Sequence, residues 1–423
     1  MTVFSRIDEP IPPLRGDIDA IPFRDNGRAL LLLRDPSGYS EQLLTFPAEA
    51  GMLFSLFDGT RSVVQLCAEF REATGENVGE EAILGIVRTL DECAFLDTDH
   101  FRKLRAERDE AYMLQPLREA VHAGASYPED ANELRALFEA LFDADASDLH
   151  AGSVVGVLAP HIDLSIGPQV YVPAFRHLAA TDADTVVILG TAHSEVDDLF
   201  VLTEKNFVTP LGTMPTDGEF VRTLREHMGD VLTRRDTPFR MEHSIEFPVL
   251  FLQHVFGNER VRIVPILLAG FDGLLYSGLR ATASERYNAF LAAFRETVAS
   301  LGRNVVFVLS VDWSHVGRKF HDQVDAAEVL DAVRASDHEQ LAALEAADYE
   351  RFFTLLEAGR NATHIDGFSC ITTFFDLASP RRGVLLDYQI WHEEERASAV
   401  SFASMAFFHD EGGETSASIE ERH

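Results

Sequence analysis

Two apolar runs, VVGVLA and TVVILG, each stop at a proline or glycine and then present a histidine, in APHID and GTAHS. The interval between them, VYVPAFRHLAATDAD, has the length of one helix. Strand, helix, strand is the crossover that returns a chain to a parallel neighbour, and parallel neighbours place their carboxyl ends on one edge of the sheet. That edge is where open α/β sheets bind ligands. His161 and His193 are therefore expected at the same rim. Two imidazoles arriving together point to a metal or a catalytic base rather than to packing.

Further buried-type runs, VRIVPILL and NVVFVLS, alternate with helical segments, and GVLLDYQIW and AVSFASMAFF read as later strands. The pattern predicts an α/β domain over residues 117–409, with a mostly parallel sheet flanked by helices. ELRALFEALFDAD places Leu134, Leu137, Phe138, Leu141 and Phe142 on one helical stripe. Upstream, residues 21–98 predict a small winged-helix-like α+β domain. Two short strands flank the Pro36-Ser37-Gly38 turn signal, and three helical patterns follow, with Gly59 and Gly75 at expected helix stops. Residues 1–20 read as a disordered arm, 99–116 as a charged linker, and 410–423 as a disordered polar tail.

Charge narrows the function classes. Lys and Arg total 36 against 69 Asp and Glu, a formal charge of −33, which repels polyanions and argues against nucleic acid as a partner. Three cysteines cannot supply a disulfide framework for 423 residues. The first residues lack a basic stretch followed by an apolar one, and no run approaches the roughly 18 apolar residues of a membrane span. The expectation is a cytoplasmic protein that does not enter membranes.

Four loops collect the polar residues suited to chemistry. The first carries His161 and Asp163, the second His193 and Ser194. The third offers Glu242, His243 and Glu246, and the fourth Asp312 and His315. Spacings of three let His243 and Glu246 share one side of a helical turn. Taken singly, each loop has an ordinary reading as a helix cap or a hydrogen-bonded structural histidine. Four strand or helix ends of one sheet, each with an imidazole beside an acid or hydroxyl, predict a shared site.

The ordered motifs PHIDLSIG, VVILGTAHS, EHSIEFPVLFLQ, RIVPILLAG and VLSVDWSHVG resemble the Memo family, also called AmmeMemoRadiSam system protein B. AVHAGASYPED resembles that family's opening, and LLDYQIWHEEERASAVSFASMAFF its closing strand pair, so the resemblance covers about 117–409. It implies a fold like that of class III extradiol dioxygenases, which are non-haem iron enzymes, and metal ligands at His161 and His193. The family's third ligand is usually cysteine. In HIDGFSCITTFFDLA the matching position is Asp366, with Cys370 four residues later as a fallback ligand or a buried core thiol. Two imidazoles and one carboxylate with open positions are the ligand set of non-haem Fe(II) oxygenases, so Fe(II) is favoured, with Cu or Zn as alternatives. His243, His315 and Asp312 would then be acid/base groups, and Glu246, Asp163 and Ser194 would support the ligands. The family's name implies a radical-SAM partner.

The stretch LLTFPAEAGMLFSLFDGTRSVVQLCAEF, with IVRTLDECAFL after it, resembles PqqD-like domains. That likeness implies a module that binds a peptide by adding a strand to a sheet edge. Two rival functions stay open at this point: a non-catalytic adaptor whose cleft takes a peptide or phosphorylated ligand, and a Zn-dependent hydrolase.

Overall fold

The computed structural model describes Phe4 and residues 6–75 and 77–410. The expected disordered tail, from residue 411 on, lies outside them. The chain divides into two compact units, Met1–Leu114 and Gln115–His423.

In the first unit β1 (Asp19–Asp25), β2 (Arg28–Arg34) and β3 (Leu44–Pro47) form an antiparallel sheet in that order. Four helices follow: α1 (Ala50–Phe54), α2 (Val63–Thr74), α3 (Glu80–Glu92) and α4 (Asp99–Met113). α2 opens on a reciprocal cap between Ser62 and Gln65 and closes at Gly75 in the left-handed region. One core joins Leu31 and Leu33 of the sheet to Leu53, Leu66, Val87 and Phe95. Two departures from expectation have clear causes. β1, DAIPFRD, escaped notice because proline and charges interrupt it, yet all seven of its residues pair with β2. The polar amino-terminal arm is tied down from Ile11 onward. Ile11 is buried, and the buried Arg15 guanidinium bonds Asp35 at 2.9 Å and the Ala94 carbonyl at 2.8 Å. The charged linker stretch, suited to a linking helix or arm, is mostly α4, which buries Phe101 and Tyr112.

The second unit begins with β4 (Leu117–Arg118) and α5 (Ala131–Ala144), then β5 (Val154–Ala159), α6 (Tyr171–Ala179) and β6 (Thr185–Thr191). Three short strands follow, β7 (Phe200–Leu202), β8 (Asn206–Thr209) and β9 (Gly212–Met214). Next come α7 (Gly218–Met228), α8 (His243–Phe256), β10 (Arg262–Leu268), α9 (Asp272–Tyr276) and α10 (Glu285–Leu301). The remainder is β11 (Val305–Ser310), β12 (His315–Gly317), α11 (Leu330–Glu345), α12 (Tyr349–Gly359), α13 (Phe368–Ala378), β13 (Arg382–Glu393) and β14 (Ser398–Phe408).

The main sheet has eight strands, in the order β12-β14-β5-β11-β6-β10-β7 with β13 beside β14. Only β5, β11, β6 and β10 are mutually parallel; β7, β12, β13 and β14 pair antiparallel. The sheet is thus mixed, not mostly parallel. The four apolar runs are the parallel strands, and the antiparallel ones lie outside them; β14 buries all eleven of its residues, Ser398, Ser401 and Ser404 included, and runs antiparallel to β5. α6 and α8 pack together through Tyr171, Phe175 and Phe251. α10 and α13 meet β11 through Phe294, Phe374 and Phe307. Among the described residues no helix is long and apolar enough to cross a membrane.

Candidate metal centre

Ala159, Gly190 and Ser310 are register partners on β5, β6 and β11. Their strands end level, and His161, His193 and Asp312 each follow two residues beyond the strand end. His161 and His193 meet edge to face with ring centroids 4.9 Å apart. Asp366, just before α13, joins them: its Oδ2 lies 2.8 Å from His161 Nε2 and 3.6 Å from His193 Nε2. His243, the first residue of α8, stacks on His193 at 4.4 Å and meets His161 edge-on at 5.2 Å. One ligating nitrogen of each of the three imidazoles lies within 4.8 Å of the others.

The other ring nitrogens are engaged. His161 Nδ1 donates to the Ser310 carbonyl at 3.1 Å, and His193 Nδ1 donates to Glu242 Oε1 at 2.9 Å. Anchoring Nδ1 leaves both Nε2 atoms aimed at one carboxylate, the usual arrangement of metal-binding histidines. Glu242 makes three hydrogen bonds at once. It accepts the His193 N–H, holds the His193 ring, and caps α8 through the Ser244 N–H at 2.9 Å. Asp312 accepts the backbone N–H groups of His161 at 2.8 Å and Ile162 at 2.9 Å, which fixes the turn after β5.

Burial alone would raise the carboxyl pKa values of Asp366 and Glu242. The neighbouring imidazoles outweigh it, His161 and then His193 at Asp366, and His193 at Glu242, and hold both well below the carboxylate range. Burial opposes a charged His193, but Glu242 and Asp366 raise its pKa well above the usual histidine value. His243 goes the other way: burial and then His193 push it well below, so it stays a neutral imidazole. Burial raises the Asp312 carboxyl, with His161 opposing.

The structure sorts the remaining expected residues. Glu246 was expected to support a ligand histidine, but Glu242 takes that place. Glu246 instead forms a buried pair with Arg118 and accepts the Tyr127 hydroxyl and the backbone N–H groups of Val121 and His122. Asp163 closes its own turn through Ser165 N–H and hydroxyl, at 2.8 and 2.6 Å, and does not reach the histidines through a hydrogen bond. His315 points Nδ1 between the carbonyls of Trp313 and His364, at 3.0 and 3.1 Å. Cys370 is fully buried, 4.0 Å from the Thr191 hydroxyl, and burial pushes its thiol pKa far up. It sits in the core rather than with the three imidazoles. His122 was missed. Its ring stands 5.8 Å from His243 and 5.6 Å from Phe247, and the one signal that could have found it was its place in AVHAGASYPED, the stretch that resembles the family's opening.

Among the described residues, Asp366 Oδ1 and Ser194 Oγ are buried beside the histidines without a hydrogen-bond partner. An unpaired buried carboxylate oxygen is costly unless something else occupies its lone pairs. The carboxylate oxygen stands 2.8 and 3.6 Å from the two Nε2 atoms, and the imidazole nitrogens lie within 4.8 Å of one another, close enough for ligands about 2.1 Å from one ion. The donor set, two Nε2 atoms and a carboxylate with a free oxygen, therefore suits a first-row divalent cation.

The family model for Memo-like proteins matches residues 118–406. A MEMO1 family protein of Aquifex aeolicus is 32% identical over 383 residues, 89% of this chain and 96% of that protein. A MEMO1 family protein of Thermus thermophilus is 27% identical over 347 residues, covering 82% and 98%. The memo-1 homologue of Caenorhabditis elegans is 27% identical over 252 residues, covering 58% and 67%. The Aquifex alignment is longer than the 118–406 segment, so that likeness extends into the first unit. On fold, rim and sequence together, the chain belongs to the Memo family.

Proposed function

We propose that this protein is a metal-dependent oxidoreductase whose centre is Fe(II) held by His161, His193 and Asp366. One observation carries the reading. Two imidazoles, each with Nδ1 anchored, turn Nε2 onto a single carboxylate whose second oxygen is buried without a partner. When bound, Fe(II) supplies Lewis-acid and oxygen-activating chemistry to a substrate that chelates through two oxygens. The protein's own part is orientation and proton handling. Glu242 and the Ser310 carbonyl fix the ligand tautomers, and Asp312 fixes the turn bearing His161. His243, neutral and stacked on His193, takes the proton of a hydroxyl arriving beside the ligands. His315, with Nδ1 spent on backbone carbonyls, offers only Nε2 as an alternative base.

The four parallel strands ending at the histidine rim support the extradiol-dioxygenase-like reading of the fold. In this account the first unit is a PqqD-like, winged-helix-like peptide-binding module, the partner is a radical-SAM protein, and the setting is cytoplasmic. The resemblance of LLTFPAEAGMLFSLFDGTRSVVQLCAEF to PqqD-like domains supports the first of these, and the resemblance of the later motifs to the AmmeMemoRadiSam group supports the second. The test is metal analysis of protein purified without oxygen and supplied with Fe(II). About one Fe per chain is expected, with His161→Ala reducing it to background. A wild-type chain that retains no metal removes the proposal, and retention of Zn alone replaces oxidation with hydrolysis.

A further inference from the structure

Asp366 reaches the histidines from an irregular segment. α12 stops at Gly359, and Arg360, Asn361 and His364 then lie in the left-handed region, with φ of 50°, 48° and 52°. Side chains other than glycine resist that conformation, asparagine less than most. The segment therefore needs something to hold it, and the Asn361 amide does so. Its Oδ1 accepts the Ile365 N–H at 2.9 Å and its Nδ2 donates to the Ile365 carbonyl at 3.0 Å. Both polar backbone groups of the residue before Asp366 are thus paired with one side chain. Nδ2 also approaches Asp272 Oδ1 at 3.3 Å, and Asn361 is only 6% exposed.

The far side of Asp366 is equally constrained. Gly367 lies so near the end of β11 that a Cβ there would stand 2.5 Å from Val311 Cγ2. The same segment grips His315, whose N–H donates to the Thr363 carbonyl at 2.7 Å and whose Nδ1 faces the His364 carbonyl. One short stretch therefore delivers the carboxylate donor and seats a second imidazole.

We propose that Asn361 is the positioning residue of the metal centre, its amide clasping Ile365 so that the Asp366 carboxylate meets His161 and His193. The proposal rests on the metal-binding reading above. It is a claim about geometry, and binding of a probe ion reads it without any turnover. Co(II) affinity of the full chain, measured by chelator competition, and the visible absorption of bound Co(II) are compared across three proteins. Asn361→Gly removes the clasp while suiting the left-handed backbone. Asn361→Ala removes the clasp and adds backbone strain.

Both variants are expected to bind at least about tenfold more weakly, with altered Co(II) bands, the loss typical of removing a group that orients ligands. Weakening in Asn361→Ala alone assigns the effect to backbone strain and overturns the proposal, as does wild-type affinity in both. Should either variant fail to fold, Asp272→Ala serves instead. It frees Asn361 Nδ2 from its third contact, and a smaller but measurable loss of affinity is expected, with none overturning the proposal. A wild-type chain that binds no Co(II) sinks the metal centre itself, whereas normal wild-type binding with unaffected variants sinks only the role of Asn361.

Discussion

His177 and His161 are both buried imidazoles that anchor Nδ1 on a backbone carbonyl, and they differ in what faces Nε2. His177 Nδ1 donates to the Pro173 carbonyl at 2.8 Å, and its Nε2 accepts the His150 N–H at 3.0 Å. It is a neutral, structural histidine. Burial lowers its pKa, and His150 adds to that against the opposing Pro173 bond. At His161 the Asp312 and Asp366 carboxylates overcome the same burial and raise the pKa instead. Residue type alone could not separate these two roles, because both follow or lie within apolar stretches. The sign of the pH effect at His177 follows from linkage. A histidine depressed by folding leaves the unfolded chain with the greater appetite for protons. Its contribution is present above the ordinary value of 6.5 and is lost as pH falls through the lower folded value. His177→Phe is expected to lose about 1–2 kcal/mol at pH 7.5, for two hydrogen bonds. Between pH 7 and pH 5 it should lose less further stability than wild type. Urea midpoints at several pH values check this, and parallel profiles for the two proteins would refute it.

At the scale of elements, the site depends on how closely α8 approaches β6. Glu242 and His193 are 49 residues apart, and they meet because the first turn of α8 lies directly over Gly190. A Cβ on Gly190 would stand 2.7 Å from both Ile245 Cδ1 and Ser244 Oγ. Gly190→Ala is therefore expected to push the helix start outward, cost about 1–3 kcal/mol, and weaken Co(II) binding by lengthening the Glu242–His193 contact. A melting curve and the same chelator competition measure both, and unchanged values for both would contradict this account of the packing. The contact also marks where sequence reasoning stopped. The strands β5, β6, β10 and β11 were legible as apolar runs, and the loops after them gave His161, His193 and Asp312. Glu246, three residues after His243, was the acid expected to support a ligand, although Glu242 flanks the same histidine. Only the packing of α8 turns Glu242 toward His193 and Glu246 toward Arg118 and Tyr127. The short strands β7, β8, β9 and β12 were invisible because three or four residues carry too little periodicity to register.

Over the whole molecule, the two units have separate cores. Leu33, Leu66 and Leu90 belong to one; Val187, Leu309 and Phe374 belong to the other. Every donor named at the candidate metal centre, and every group that orients one, lies beyond residue 115. The Arg118–Glu246 pair, which fixes the start of the second unit to α8, lies wholly within that unit as well. The donors of the candidate centre named among the described residues thus all belong to the second unit, while the Aquifex relative shares sequence with the first as well. A chain of residues 115–423 is expected to fold in isolation, because it retains the complete eight-stranded sheet and its helices. It should bind Co(II) within about threefold of the full-length affinity, a difference below 1 kcal/mol. Circular dichroism and chelator competition on the fragment test both statements. A fragment that folds but binds tenfold more weakly would mean that the first unit shapes the centre from outside it, and the peptide-binding role proposed for that unit would then need to include control of the metal.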